Sequence, residues 1–212
     1  MSDQTDMTKN DLSFDAARFA ALKPVLSAAQ KIGALSGTPI EQIISHALWF
    51  AKAIPNSAKR VIDLGSGAGV PGLIVAFDRP ELELVLVDRR SGRTDSLTRS
   101  VLALNLGSRV SVKCSEIGDL VRDGKFFKQF DAAISRGLGP PLETLRLSRD
   151  LVKPGGVVII SEPPPTTQSR WNPADVSNLG LEGPVRHGAV AMFHVKHQIF
   201  NSWVSPIVSR ET

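Results

Sequence analysis

The chain has 212 residues with a net charge of +4, and its 42% hydrophobic and 22% charged content is ordinary for a globular protein, which argues against wholesale disorder or a coiled coil. The single cysteine excludes an intrachain disulfide and a cysteine-based zinc cluster. Met1–Asp11 shows no basic stretch leading into an apolar run, and Val157–Ile160 falls far short of the roughly 20 apolar residues of a spanning helix, so the expectation is one core in a cytoplasmic protein.

Residues 1–11 are polar without periodicity and are expected to be a disordered tail. Ser13 can cap a helix whose apolar positions are Phe19, Leu22 and Leu26, with Pro24 expected to bend it or end it early. After Gly33 and Gly37, the run Thr38-Pro39-Ile40-Glu41 has the form of an N-cap, a first-turn proline and the glutamate of a capping box. It opens a second helix with Ile44, Ala47, Leu48 and Ala51 on its apolar stripe, followed by Pro55. From residue 60, short apolar runs alternate with helical periods, the pattern of βαβ units. Strands are expected at Val61–Leu64, Glu83–Val87, Val110–Lys113, Asp131–Ser135 and Val157–Ser161, with helices around Leu97, Val101 and Leu104 and around Leu142 and Leu145. The proline-rich stretch 163–184 reads as a loop, and Val190–Val195 with Ile199–Val204 as a closing antiparallel pair. The expected divisions are therefore 1–11, N-terminal helices 12–55, an α/β domain 56–205 and a C-terminal tail 206–212.

The run Val61-Ile-Asp-Leu-Gly-Ser-Gly-Ala-Gly-Val-Pro-Gly72 carries a strand into glycines and then a helix. Gly65, Gly67 and Gly69 let a ligand approach the backbone without a Cβ in the way. A dinucleotide loop spaces its glycines as G-x-G-x-x-G for a pyrophosphate, whereas here the spacing is G-x-G-x-G and the acid Asp63 precedes it. That arrangement resembles the first motif of class I S-adenosylmethionine-dependent methyltransferases, whose cofactor is cationic. Asp88 ends the second strand, where an acid can accept both ribose hydroxyls of an adenosine.

Together with RPELELVLVD, FDAAISRGLGPPLETL and LVKPGG, this loop is similar to the small-subunit ribosomal RNA methyltransferase G family, also called glucose-inhibited division protein B, over about residues 44–160. The resemblance implies an α/β fold: a Rossmann-like, doubly wound class I methyltransferase sheet with an N-terminal helical cover. It implies methyl transfer from S-adenosylmethionine to N7 of a guanine in 16S ribosomal RNA, with the RNA or the small ribosomal subunit as partner to a monomer. Gly65 and Val70 should line the cofactor site with Asp63, Gly67, Gly69 and Asp88. Ser115 and Glu116 should follow the third strand around the adenine, and Arg136 should close the site and carry the catalytic contact. His46 matches a histidine of the family's helix before the first strand. N7 has a free electron pair, so the transfer needs alignment rather than a general base, and the planar guanidinium of Arg136 suits guanine O6 or a phosphate. Arg89, Arg90, Arg93, Arg99, Arg109 and Lys113 make the middle of the chain locally basic.

Two rivals stay open on residues alone. A degenerate member would bind cofactor or RNA without turnover, since Cys114-Ser115-Glu116 and Ser161-Glu162-Pro163-Pro164-Pro165 replace the family's arginine and its lysine with glycine. A nicotinamide-dependent oxidoreductase is disfavoured by the glycine spacing. His194 and His197 do not suggest a metal site, because an i, i+3 pair on a strand points to opposite faces. Phe193–His197 can instead be encoded by TTTCACGTGAAACAT and Val208–Thr212 by GTTTCACGTGAAACA, two frames of one palindrome whose third frame holds a stop. The palindrome resembles bacterial chromosome-partition sites, which implies a constraint on the DNA rather than on the protein.

Overall fold

Each of the five apolar runs expected to be a strand folds as one, because a parallel strand covered on both faces tolerates unbroken aliphatic residues. The computed structural model describes residues 16–164 and 169–197. In chain order, α1 (Ala16–Lys31) and α2 (Ile40–Ala53) lead into β1 (Arg60–Leu64), α3 (Gly72–Asp78), β2 (Glu83–Asp88), α4 (Ser91–Ala103) and β3 (Val110–Cys114). Then come α5 (Ile117–Arg122), β4 (Phe130–Ser135), α6 (Pro141–Arg149), β5 (Val152–Ser161), α7 (Pro173–Asn178), β6 (Leu181–His187) and β7 (Val190–Val195). One sheet runs β3-β2-β1-β4-β5-β7-β6. The first five strands are parallel, and β7 is antiparallel to both β5 and β6.

Alternation along the strands sends residues to two apolar layers. Val61, Leu84, Leu86, Ala132, Ile134, Val157 and Ile159 pack with α1–α4, where Ile43, Ala47, Leu73 and Val101 are buried. Ile62, Leu64, Val87, Ala133, Val158 and Ile160 face the other layer with Leu120, Leu145, Trp171, Val176 and Phe193. The reversal of strand order at β1 places a crevice beyond the carboxyl ends of the central strands, the general position for ligands in open α/β sheets.

Four expectations need correction. α1 continues through Pro24 to Lys31: Leu22 and Leu26 are fully buried on either side, while Pro24 and Ala20 are exposed, so the carbonyl freed by the proline meets water. Thr38 does not cap α2; Pro39 occupies the cap position without a side-chain hydrogen bond, and the Thr38 hydroxyl instead accepts from Ser36 Oγ at 3.1 Å. The stretch 163–184 is not all loop. Asn172 caps α7 by accepting from Ala174 N at 2.8 Å, with Pro173 at the first helical position, and β6 follows. β7 takes β6 and β5 as neighbours, while Ile199–Val204, Ser13 and both expected tails lie outside the described residues. Pro184 sits within β6 because β6 is the edge strand, where a missing N–H costs no ladder bond.

Phe193 is fully buried and stands edge-on to Trp171, with ring centroids 4.8 Å apart, whereas His194 is exposed. Among the described residues no helix is long and apolar enough to cross a membrane.

Candidate functional site

β1 delivers Asp63 and Leu64 to the edge of the sheet, and the chain then turns sharply. Gly65 has φ +72° and Gly69 φ +88°, values that L side chains rarely adopt. The turn is stitched to β2: Ser66 N donates to Val87 O at 2.9 Å, Ser66 Oγ accepts from Val87 N at 3.0 Å and donates to Asp63 O at 2.9 Å. Gly67 N donates to Asp88 Oδ2 at 3.1 Å, and the other carboxylate oxygen accepts from Arg90 N at 3.0 Å. The Arg93 guanidinium lies 3.7 Å from Asp88. Asp88 therefore spans the glycine turn and the start of α4.

A cavity of about 390 Å³ opens above these ends. Gly65, Asp88, Ser115 and Glu116 all line it, together with Arg89, Arg90 and Arg93, Ile117 and Gly118, and the segment Gly137–Pro140 with Thr144 on α6. Arg89 and Glu116 form an exposed ion pair at 3.6 Å beside it. The structure thus joins four of the expected cofactor residues. The Gly137–Pro140 wall was legible as a glycine–proline run after the fourth strand, but only once β4 is placed beside β1 does it face the glycine turn.

The other expected residues stand elsewhere. Val70 is buried in the core with α3, and Gly69 packs against Leu73 and Leu97, so both shape the turn from behind. Gly67 borders a separate apolar groove between α1 and α4. Asp63 lies beneath the loop, fully buried, accepting from Gly72 N at 3.1 Å through Oδ2, while its Oδ1 has no partner. Arg136 does not close the cavity. It follows Ile134 by two positions, on the side of the sheet that Ile134 shares with α2, and its charge adds to burial in holding the His46 imidazole below its ordinary range.

Burial pushes the Asp63 carboxyl up to about 7, against the Ser66 hydroxyl and the Gly72 N–H, with the Asp88 charge adding to the rise. A carboxyl raised on folding contributes stability that is full below its unfolded value of about 3.8 and is lost as pH climbs through about 7. Denaturant unfolding should therefore show stability falling across that window, at no more than about 1.4 kcal/mol per pH unit from this one group. Asp63→Asn should flatten this part of the profile. Parallel profiles for the two proteins would show that Asp63 is ionised in the fold throughout.

A cavity without a Cβ at Gly65 and with an acid at the end of β2 suits an adenosine ligand. The comparisons agree with the fold behind that geometry. A Moorella thermoacetica protein described as ribosomal RNA small subunit methyltransferase G is 34% identical over 119 residues, covering 55% of this chain and 48% of that protein. An O-methyltransferase family protein from Burkholderia thailandensis superposes with a TM-score of 0.53 at 18% identity, covering 86% of this chain and 60% of its own. An O-methyltransferase from Bacillus cereus, solved in complex with SAH, gives 0.52 at 16% identity, covering 68% and 66%. These structures establish the class I methyltransferase fold, and the chain spans about half the length of the curated relatives it matches. Residues 22–162 match the family described as rRNA small subunit methyltransferase G, and the chain belongs to that family.

Proposed function

We propose that the protein transfers a methyl group from S-adenosylmethionine to N7 of a guanine in 16S ribosomal RNA, acting as a monomer in the cytoplasm on the RNA or the small subunit. The observation that carries this reading is the cavity joining Gly65 to Asp88 at the carboxyl ends of β1 and β2, in a chain that belongs to this family. The cofactor, when bound, supplies an electrophilic methyl on a sulfonium. Asp88 would accept its ribose hydroxyls, Ser115 and Glu116 would flank the adenine, and Gly65 admits it without a Cβ. Asp63 acts from below, where its buried carboxyl accepts from and fixes the first N–H of α3. Gly67, Gly69 and Val70 hold the turn in shape. No proton must leave N7, so the chain's task is alignment, which can supply roughly 7–11 kcal/mol of barrier reduction.

The test is mapping small-subunit RNA methylation in strains with and without the gene, paired with transfer of labelled methyl to purified subunits. An unchanged methylation map would overturn the reading. Arg136→Ala should slow single-turnover transfer by roughly one to two decades at saturating cofactor, the loss expected for about 1.5–3 kcal/mol of charge-assisted hydrogen bonding. Arg136→Lys should recover only part, because an ammonium keeps the charge and loses the fork. Full rates in both variants would exclude Arg136 from the substrate.

A further inference from the structure

α1 carries more apolar surface than the core uses. Leu22 and Leu26 are fully buried in the layer under the sheet. Pro24, Val25 and Ala28 stand on another side of the same helix, and Ile32 follows just past its end, 70% exposed. A helix that is apolar on more than one face is ordinarily covered on each. Opposite this second stripe, α4 presents Ser96, Ser100 and Ala103, and a groove of about 450 Å³ runs between the two helices. Among the described residues its charged lining is Arg93 and Arg99 alone. Arg93 stands 3.7 Å from Asp88, whereas Arg99 is exposed and its guanidinium has no ion pair or hydrogen bond with any described residue. The groove therefore fits an occupant that is both apolar and acidic. A bare polyanion would meet the arginines and leave the stripe uncovered.

Residues 1–15 have that chemistry and are joined directly to α1. They hold Asp3, Asp6, Asp11 and Asp15 against Lys9 as the one cationic side chain, with Met7, Leu12 and Phe14 among them. Arg18 in the first turn of α1 pairs with Asp78 at the end of α3, 3.7 Å away, and α3 leads away from the glycine turn. α1 thus starts at the end of the groove remote from Gly67, where α4 finishes at Ala103. The rise from Ala103 back to Gly92 is about 17 Å, a span that about five extended residues cover. We propose that residues 1–15 of this chain dock in the groove between α1 and α4, with Leu12 and Phe14 covering the stripe of Pro24, Val25 and Ala28 and the aspartates pairing with Arg99. A tether this short sets an effective concentration in the millimolar range, so modest contacts are enough to hold the segment. Gly67 and Arg93 border the groove and both hold the Asp88 carboxylate, so the docked segment lies against the supports of the adenosine acid. The inference goes beyond methyl transfer and is read without it.

The experiment is disulfide trapping in the full chain at low protein concentration, with Cys114→Ser removing the exposed native thiol. Ser13→Cys combined with Ser100→Cys, on the α4 wall of the groove, is compared with Ser13→Cys combined with Ser177→Cys, on α7 across the sheet. The groove pair should form its intramolecular disulfide roughly tenfold faster or more. Should Ser100→Cys cost the fold, Ser96→Cys reports from the same wall. Leu12→Asp with Phe14→Asp should bring the groove pair down to the rate of the comparison pair. Arg99→Glu should slow trapping roughly threefold, as loss of exposed ion pairing allows, and Asp11→Lys with Asp15→Lys should restore the rate in the Arg99→Glu background. Equal rates for the two pairs would overturn the inference. So would unslowed trapping after the Leu12 and Phe14 substitutions, or a charge reversal that fails to restore the rate. Disulfide-linked dimers in place of the intramolecular product would give the groove to a second copy, and faster capture of Ser205→Cys than of Ser13→Cys would give it to residues 198–212; either result overturns the inference.

Discussion

Gly65→Ala should abolish measurable S-adenosylhomocysteine binding in calorimetry while leaving a folded protein. A Cβ at this position points at Leu138 on the opposite wall, 2.7 Å from its Cδ1, and Gly65 is the residue of the glycine turn that lines the cavity. Leu138 is a flexible, half-buried side chain and can yield, so the fold survives, but it yields into the volume the ligand needs. A loss of roughly a hundredfold or more corresponds to about 2.7 kcal/mol of binding. The left-handed backbone adds about 1–2 kcal/mol of strain, which a typical domain stability of about 5–15 kcal/mol absorbs. Undiminished binding by the folded variant would move the cofactor out of this cavity. The same reasoning separates Gly65 from Gly67, which does not line the cavity and where an added Cβ finds nothing closer than 3.7 Å.

Gly69→Ala should do the reverse and strike the fold. Its Cβ would sit 2.4 Å from Leu73 Cδ1 and 2.9 Å from Leu97 Cδ1, and both leucines are buried in the layer under α3 and α4. Overpacking at such a site costs about 1–3 kcal/mol, and the positive φ about 1–2 kcal/mol more. The denaturation midpoint should fall accordingly. Because the cavity is not lined by Gly69, S-adenosylhomocysteine should still raise the midpoint of the variant by binding its folded state. A midpoint equal to that of wild type would mean the loop relaxes freely and does not depend on a glycine here.

The strands were legible because each is a short aliphatic run bounded by turn residues, and burial on both faces demands little else. α1 and α2 were legible from their apolar stripes, but their ends were not. Whether Thr38 caps a helix or bonds to Ser36 is decided by how the preceding loop folds back on Gln30, whose Nε2 donates to Thr38 O at 2.7 Å. The last hairpin was obscured by composition: Pro184 and Gly183 suggest a loop, and only the position of β6 at the rim makes them acceptable. In the site, Gly65 and Asp88 could be placed together from strand ends, while Ser115 and Glu116 joined them only through the family resemblance. Asp63, Gly67, Gly69 and Val70 could not be told apart from them, because the motif marks a turn and leaves open which of its residues faces outward. Arg136 has the same ambiguity in another form, since the alternation along β4 sends it to the α2 side while the next residues cross to the cavity.

The sheet order also governs how the cavity comes into being. β1 and β4 are neighbours, yet α3, β2, α4, β3 and α5 lie between them in the chain. Joining them closes a long loop, whose entropic penalty grows only slowly with length but has no local contacts to offset it in advance. The cavity straddles that seam, with Gly65, Asp88 and Ser115 contributed by the first half of the sheet and Leu138 and Thr144 by the second. Neither half holds a binding surface before the two have docked. Ligand occupancy is therefore a reporter of the completed seam, and the binding free energy accrues to the cooperative unit as a whole rather than to the motif that names it.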